Sequence, residues 1–208
     1  MTRAIELGCL VLVAACASCA GGKGANGAPD RFVDAKTSDA GWARTSDERL
    51  RIPLPDGLTW ERRPDTGSLL DLRAKEGPTF IVVAEIADAP TPIETASCAE
   101  RHRTEVYAAA SSKGIAMTLP QISFEVRRGE KMPRMSYAVP LEPAADARPA
   151  STLSLWTYVV DGARCVGVGV TTVVRGRVDK PDEPEQEDLD RLERVYDRVA
   201  DGVGASGS

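Results

Sequence analysis

Cys98-Ala99-Glu100-Arg101-His102 places a thiol and the chain's only histidine four residues apart. On a helix that spacing is one turn, so both side chains would leave the same face. Three chemistries fit the pair. A thiolate beside an imidazole is a nucleophile and its base, provided the sulfur is accessible and a third group orients the ring; Glu105 is the carboxylate at hand, on a neighbouring face. Cys98, His102 and Cys165 could ligate a metal, although metal-binding segments usually bring more ligands at tighter spacing. Alternatively Cys98 and Cys165 close a disulfide, which abolishes the other two options because an oxidised sulfur neither attacks nor ligates. An exported enzyme or small-ligand binder would need a pocket around Cys98, His102 and Tyr158.

Other templates find no match. The chain has no phosphate-cradling glycine loop with lysine, no Gly-x-Ser-x-Gly elbow and no aspartate-rich calcium loop. Val166-Gly167-Val168-Gly169 has the G-x-G spacing inside a strand-like run, without the third glycine or a following helix. The acidic cluster from Asp182 to Asp190 reads as a solvated helix start favoured by the macrodipole. No catalytic residue, cofactor site or metal site is therefore assigned.

Which chemistry the cysteines perform depends on the compartment, and the amino terminus speaks to that. Arg3 and the terminal amine precede an apolar run from Leu7 to Val13, followed by Ala14-Ala15. A charged start, a short apolar stretch and small residues at the cut form an export signal. The run is well short of the roughly 20 apolar residues a spanning helix needs. Val13-Ala14-Ala15-Cys16 resembles the lipobox of bacterial lipoproteins. That resemblance implies cleavage before Cys16, a diacylglyceryl group on its sulfur and acylation (typically palmitate) of the new amino terminus. It also implies an envelope location, facing the periplasm from the outer membrane in a Gram-negative host. The alternative is a cut after Ser18-Cys19-Ala20 that releases a soluble secreted or periplasmic protein. Under either reading Cys98 and Cys165 are the two cysteines left in the folded region, a natural disulfide pair in an oxidising compartment.

Residues 16–48 are rich in Gly, Ala, Ser and Asp and read as a lipidated flexible tether, with 1–15 as the signal and 49–204 as a single α+β domain. The formal charge of −5 argues against nucleic acid as a partner. The most basic stretch, Arg127 to Arg134, contains Glu130 and reads as a solvated hairpin end.

The elements that must position Cys98, His102, Tyr158 and Cys165 follow from periodicity. Leu50, Ile52 and Leu54 alternate, and Leu58 and Trp60 resume the pattern after Pro55-Asp56-Gly57. Residues 68–73 and 79–86 read as strands, with Phe80-Ile81-Val82-Val83 apolar on both faces as in a covered central strand. Spacings of three and four from Cys98 through His102 and Val106 to Ala110 predict a helix over 94–112. Residues 121–126 and 134–141 suggest a hairpin around Gly129, and 153–160 and 163–174 another around Asp161-Gly162. With that two-residue loop Tyr158 would face Cys165 and Trp156 would face Gly167. Leu189, Leu192, Tyr196, Val199 and Val203 make the apolar stripe of a last helix over 185–203.

Strands apolar on both sides call for helices on both faces of an antiparallel sheet. Arg51-Ile52-Pro53-Leu54-Pro55-Asp56-Gly57-Leu58-Thr59-Trp60, followed by this order of elements, resembles the PsbP-like group of α/β/α sandwiches. That resemblance implies an adaptor or assembly role, with membrane contact through the lipid and a protein partner in the envelope.

Overall fold

The computed structural model describes residues 33–34, 41–55, 57–63, 66–88, 93–142, 148–181 and 183–205. Among these residues, eleven strands and two helices form in the order β1 (Val33–Asp34), β2 (Trp42–Arg44), β3 (Leu50–Pro53), β4 (Trp60–Arg62), β5 (Leu70–Ala74), β6 (Phe80–Ile86), α1 (Thr95–Ser112), β7 (Gln121–Arg127), β8 (Glu130–Leu141), β9 (Ala150–Asp161), β10 (Arg164–Arg175), α2 (Gln186–Gly202) and β11 (Gly204–Ala205). Eight strands make one sheet in the order β1-β4-β5-β6-β10-β9-β8-β7, every pairing antiparallel; β11, β3 and β2 make a smaller one. None of the helices among the described residues is long and apolar enough to cross a membrane.

The sheet separates two cores, as the doubly apolar β6 requires. Ile81 and Val83 face one way, with Leu72, Leu155, Val166, Val168 and Val170, and are covered by Leu192, Val195, Tyr196 and Val199 of α2. Phe80, Val82 and Ile86 face the other way, with Trp156, Tyr158 and Cys165, and are covered by Cys98, Ala99 and Val106 of α1. The architecture is the expected α+β antiparallel sheet with a helix on each face.

Several expectations need correction. The β9–β10 turn is Gly162-Ala163, so Asp161 pairs with Arg164 and the register shifts by two from the one read off Asp161-Gly162. Gly162 alone of the two takes a positive φ, 62°, which suits the first central position of a type II′ turn. Asp161 instead stays in its strand, where it accepts a hydrogen bond from Arg164 at 2.6 Å. Tyr158 consequently faces Gly167, Trp156 faces Gly169, and Cys165 faces Val160. A shift of two preserves the faces, so the aromatics still cover the glycines. A Cβ on Gly169 would lie 2.5 Å from the Trp156 ring.

Among the described residues, two short strands fall within the span 16–48, and the first, Val33–Asp34, pairs with β4. Trp42–Arg44, inside the span read as tether, pairs with β3, and Arg51 stacks 4.8 Å from the Trp42 ring centroid. Asp188, read as part of a solvated acidic cluster, is buried. Its carboxylate accepts two hydrogen bonds from the Arg175 guanidinium at 2.9 and 3.0 Å and one from the Arg175 backbone N–H at 3.1 Å. Burial opposes its charge, but these bonds outweigh it and hold the carboxyl below its ordinary pKa.

Candidate functional site

The four residues singled out from sequence do converge, but in the interior. Cys98 and His102 leave the buried face of α1, and Tyr158 and Cys165 rise from neighbouring strands beneath it; their exposures are 0, 2, 0 and 1%. The structure joins Cys98 to Cys165, with Cα atoms 5.7 Å apart, tying α1 to the sheet across 67 residues of sequence. His102 Nδ1 and Tyr158 Oη share a hydrogen bond of 2.9 Å, and Tyr158 Oη also lies 3.6 Å from Met135 Sδ. The His102 ring meets Trp156 edge to face, centroids 4.5 Å apart. Burial denies water to the imidazolium and pulls the His102 pKa down to about 3.

That arrangement has limited chemistry. A neutral imidazole with Nδ1 engaged by a phenol, walled by an indole and sealed from solvent, receives no substrate. The oxidised sulfurs have no lone thiolate to offer. Glu105, the proposed third member, instead pairs with Arg101 at 2.9 Å. Among the described residues no group of three or more His, Cys, Asp or Glu is arranged to hold a metal. The pocket imagined around Cys98, His102 and Tyr158 is filled core. Cys16, the expected lipid acceptor, lies outside the described residues.

A different site emerges at the sheet margin. β7 is the last strand, and its free side is paired by nothing among the described residues. Ile122, Phe124 and Val126 share the face of β7 that looks toward α1. Ile122 reaches the core, whereas Phe124 and Val126 are 50% and 78% exposed. Phe124 and Ile122 form one wall of an open groove whose other wall is Ala96, Ser97, Glu100 and Arg101 of α1. Lys131 Nζ lies 4.7 Å above the Phe124 ring.

The backbone of β7 sharpens this. Arg128-Gly129, both at positive φ (53° and 81°), form the two-residue turn of the β7–β8 hairpin. In such a turn the flanking pair, Arg127 and Glu130, is a hydrogen-bonded one, and bonded and non-bonded pairs then alternate. Phe124 stands opposite Pro133, which has no N–H to give, so this pair is non-bonded, in agreement. By the same alternation Ile122, Phe124 and Val126 all direct their N–H and C=O groups away from β8. The residues with exposed apolar side chains are thus those with free backbone groups.

The opposite face of the hairpin is held down. Arg127 donates to Asp197 and Asp201 of α2, and Arg134 donates to Glu193. Both also bind Glu125 at 2.7 Å and place their guanidinium carbons 5.1 and 5.0 Å from the Tyr196 ring. Burial pushes the Tyr196 phenol well up, with the Glu125 charge adding to the effect. The stretch read as a solvated hairpin end is therefore a clamp that fixes β7 to the body of the domain. Neither the clamp nor the margin was found from sequence. The alternation Ile122-Ser123-Phe124-Glu125-Val126 was the available signal, but it does not say which strand is outermost.

No protein-family model matches the sequence, and no characterised protein matches it at the sequence level. Among solved structures the chain is similar to cyanobacterial PsbP (CyanoP) from Synechocystis sp. PCC 6803, with 13% identity over 89% of this chain and 98% of that one, TM-score 0.46. It is also similar to LpqN of Mycobacterium tuberculosis, a protein involved in cell envelope biogenesis, with 9% identity over 79% and 88% of the two chains, TM-score 0.44. Neither likeness assigns a residue or an activity to this chain.

Proposed function

We propose that this chain is an exported lipoprotein, anchored in the cell envelope through Cys16, whose α+β domain is a non-catalytic protein-association module. The anchor rests on the export signal and on Val13-Ala14-Ala15-Cys16. Several acyl chains, each contributing about 0.8 kcal/mol per buried CH₂, hold a protein at a bilayer where one chain would not. The association role rests on one contrast: the reactive side chains are sealed in the core, while Phe124 and Val126 stand exposed on a strand at the edge of the sheet. An edge strand left free, with no proline or lysine to blunt it, invites a further strand.

The test is affinity isolation of the tagged full chain from gently solubilised envelope. Wild type is expected to bring down a defined partner set, Phe124→Asp to lose it, and the remote Val178→Asp to keep it. An unchanged set from Phe124→Asp contradicts the association surface. Cys16→Ser is expected to move the protein from the membrane pellet to the soluble fraction; persistence in the pellet contradicts the anchor.

A further inference from the structure

We infer that the occupant of the β7 edge is β7 of a second copy of this chain, joining two eight-stranded sheets into one across a two-fold axis at Phe124. The inference rests on reading the β7 margin as the association surface, and it names the partner there.

Gln121-Ile122-Ser123-Phe124-Glu125-Val126-Arg127 is self-complementary when run antiparallel about its centre. Phe124 then meets its counterpart, and Ile122 meets Val126 of the second copy. These are the residues whose N–H and C=O groups point outward, so each of these pairs forms two backbone hydrogen bonds. Apolar side chains meet apolar side chains throughout that face. On the other face Glu125 falls opposite Ser123 and Arg127 opposite Gln121, so no like charges oppose each other. Glu125 is moreover already engaged by Arg127 and Arg134. A shift of the pairing by one residue would set outward-pointing backbone groups against residues whose own backbone groups are turned toward β8, and would lose the ladder.

The axis runs normal to the sheet, so both copies of α1 lie on the same side of it. The two grooves between β7 and α1 become continuous, with the two Phe124 rings between the helices, and the exposed Phe124 and Val126 of each copy meet apolar side chains of the other. Closed two-fold pairing of this kind uses the β7 edge of both copies, leaving neither for a third. Tethering to one bilayer raises the effective concentration of the two edges for each other.

The experiment is site-specific photo-cross-linking in intact cells, with benzoylphenylalanine at position 124 of the full chain. The expected product is a covalent dimer of twice the mass of the processed chain, with the cross-linked peptide mapping to residues 122–126 of the second copy. Adding Val126→Asp is expected to cut that product roughly tenfold or more, equivalent to 1.4 kcal/mol, while Val178→Asp leaves it intact. Adducts at position 124 exclusively with a different protein would overturn self-pairing and leave the association surface standing. No adduct of any kind would overturn both.

Discussion

At the residue scale, His102 is a core side chain whose ionisation is coupled to folding. Its pKa is about 3 in the folded protein and about 6.5 in an unfolded chain. Below pH 6.5 the unfolded chain takes up a proton that the native state refuses, so stability falls as the pH drops from about 6.5 toward 3. The lost stability amounts to about 2 kcal/mol between pH 7 and pH 5, at roughly 1.4 kcal/mol per pH unit once fully developed. Urea denaturation at those two pH values should show this loss in the wild type. His102→Phe should be weaker at pH 7, since Tyr158 loses its 2.9 Å partner, yet nearly flat over the same interval. An equal pH slope in both proteins would mean that the imidazole titrates freely and lies open to water.

At the element scale, the decisive tie is between α1 and the sheet. The Cys98–Cys165 bond spans 67 residues, and closing a loop of that length in the unfolded chain is worth about 4 kcal/mol in the chain-entropy treatment. The bond leaves neither sulfur as a thiol, so thiol reagents should label neither Cys98 nor Cys165 in the protein, native or unfolded without reductant. Reductant should lower the urea midpoint markedly while leaving the strands of the sheet paired. Two freely alkylatable thiols in the native product would contradict the bond. The elements themselves were largely legible in the sequence because each has a one-dimensional signature. Cys98, His102, Val106 and Ala110 do line one helical face, Leu192, Tyr196 and Val199 another, and Phe80 to Val83 are buried on both sides. The two-residue error at Asp161-Gly162 arose because that dipeptide favours a turn, whereas the Asp161–Arg164 contact draws the aspartate into the strand. The Arg127 clamp was illegible for a different reason. Its acidic partners on α2 lie 70 and 74 residues away, and no local pattern reports a contact of that range. Spacing made Cys98 and Cys165 a natural pair and put His102 on the same helical face as Cys98, whereas the depth at which these residues and Tyr158 lie depends on the whole sandwich closing over them.

At the scale of the whole molecule, the fold separates tasks by depth. Its interior holds the reactive groups out of reach, α2 and the arginine clamp hold β7 in place, and the β7 margin bears exposed apolar side chains and backbone groups that nothing among the described residues pairs. Under the proposed anchoring at Cys16, that margin would be held near other proteins of the same membrane and near copies of itself. If the domain associates through this margin, residue-resolved amide hydrogen exchange on the full chain, assembled and dispersed, will register it there. Amides of Ser123, Glu125 and Arg127, bonded to β8, should be protected in both states. Those of Ile122, Phe124 and Val126 should exchange fast when dispersed and slow by roughly tenfold or more on assembly, as pairing demands. Identical exchange at these three positions in both states, with new protection confined to α1 or elsewhere, would contradict it.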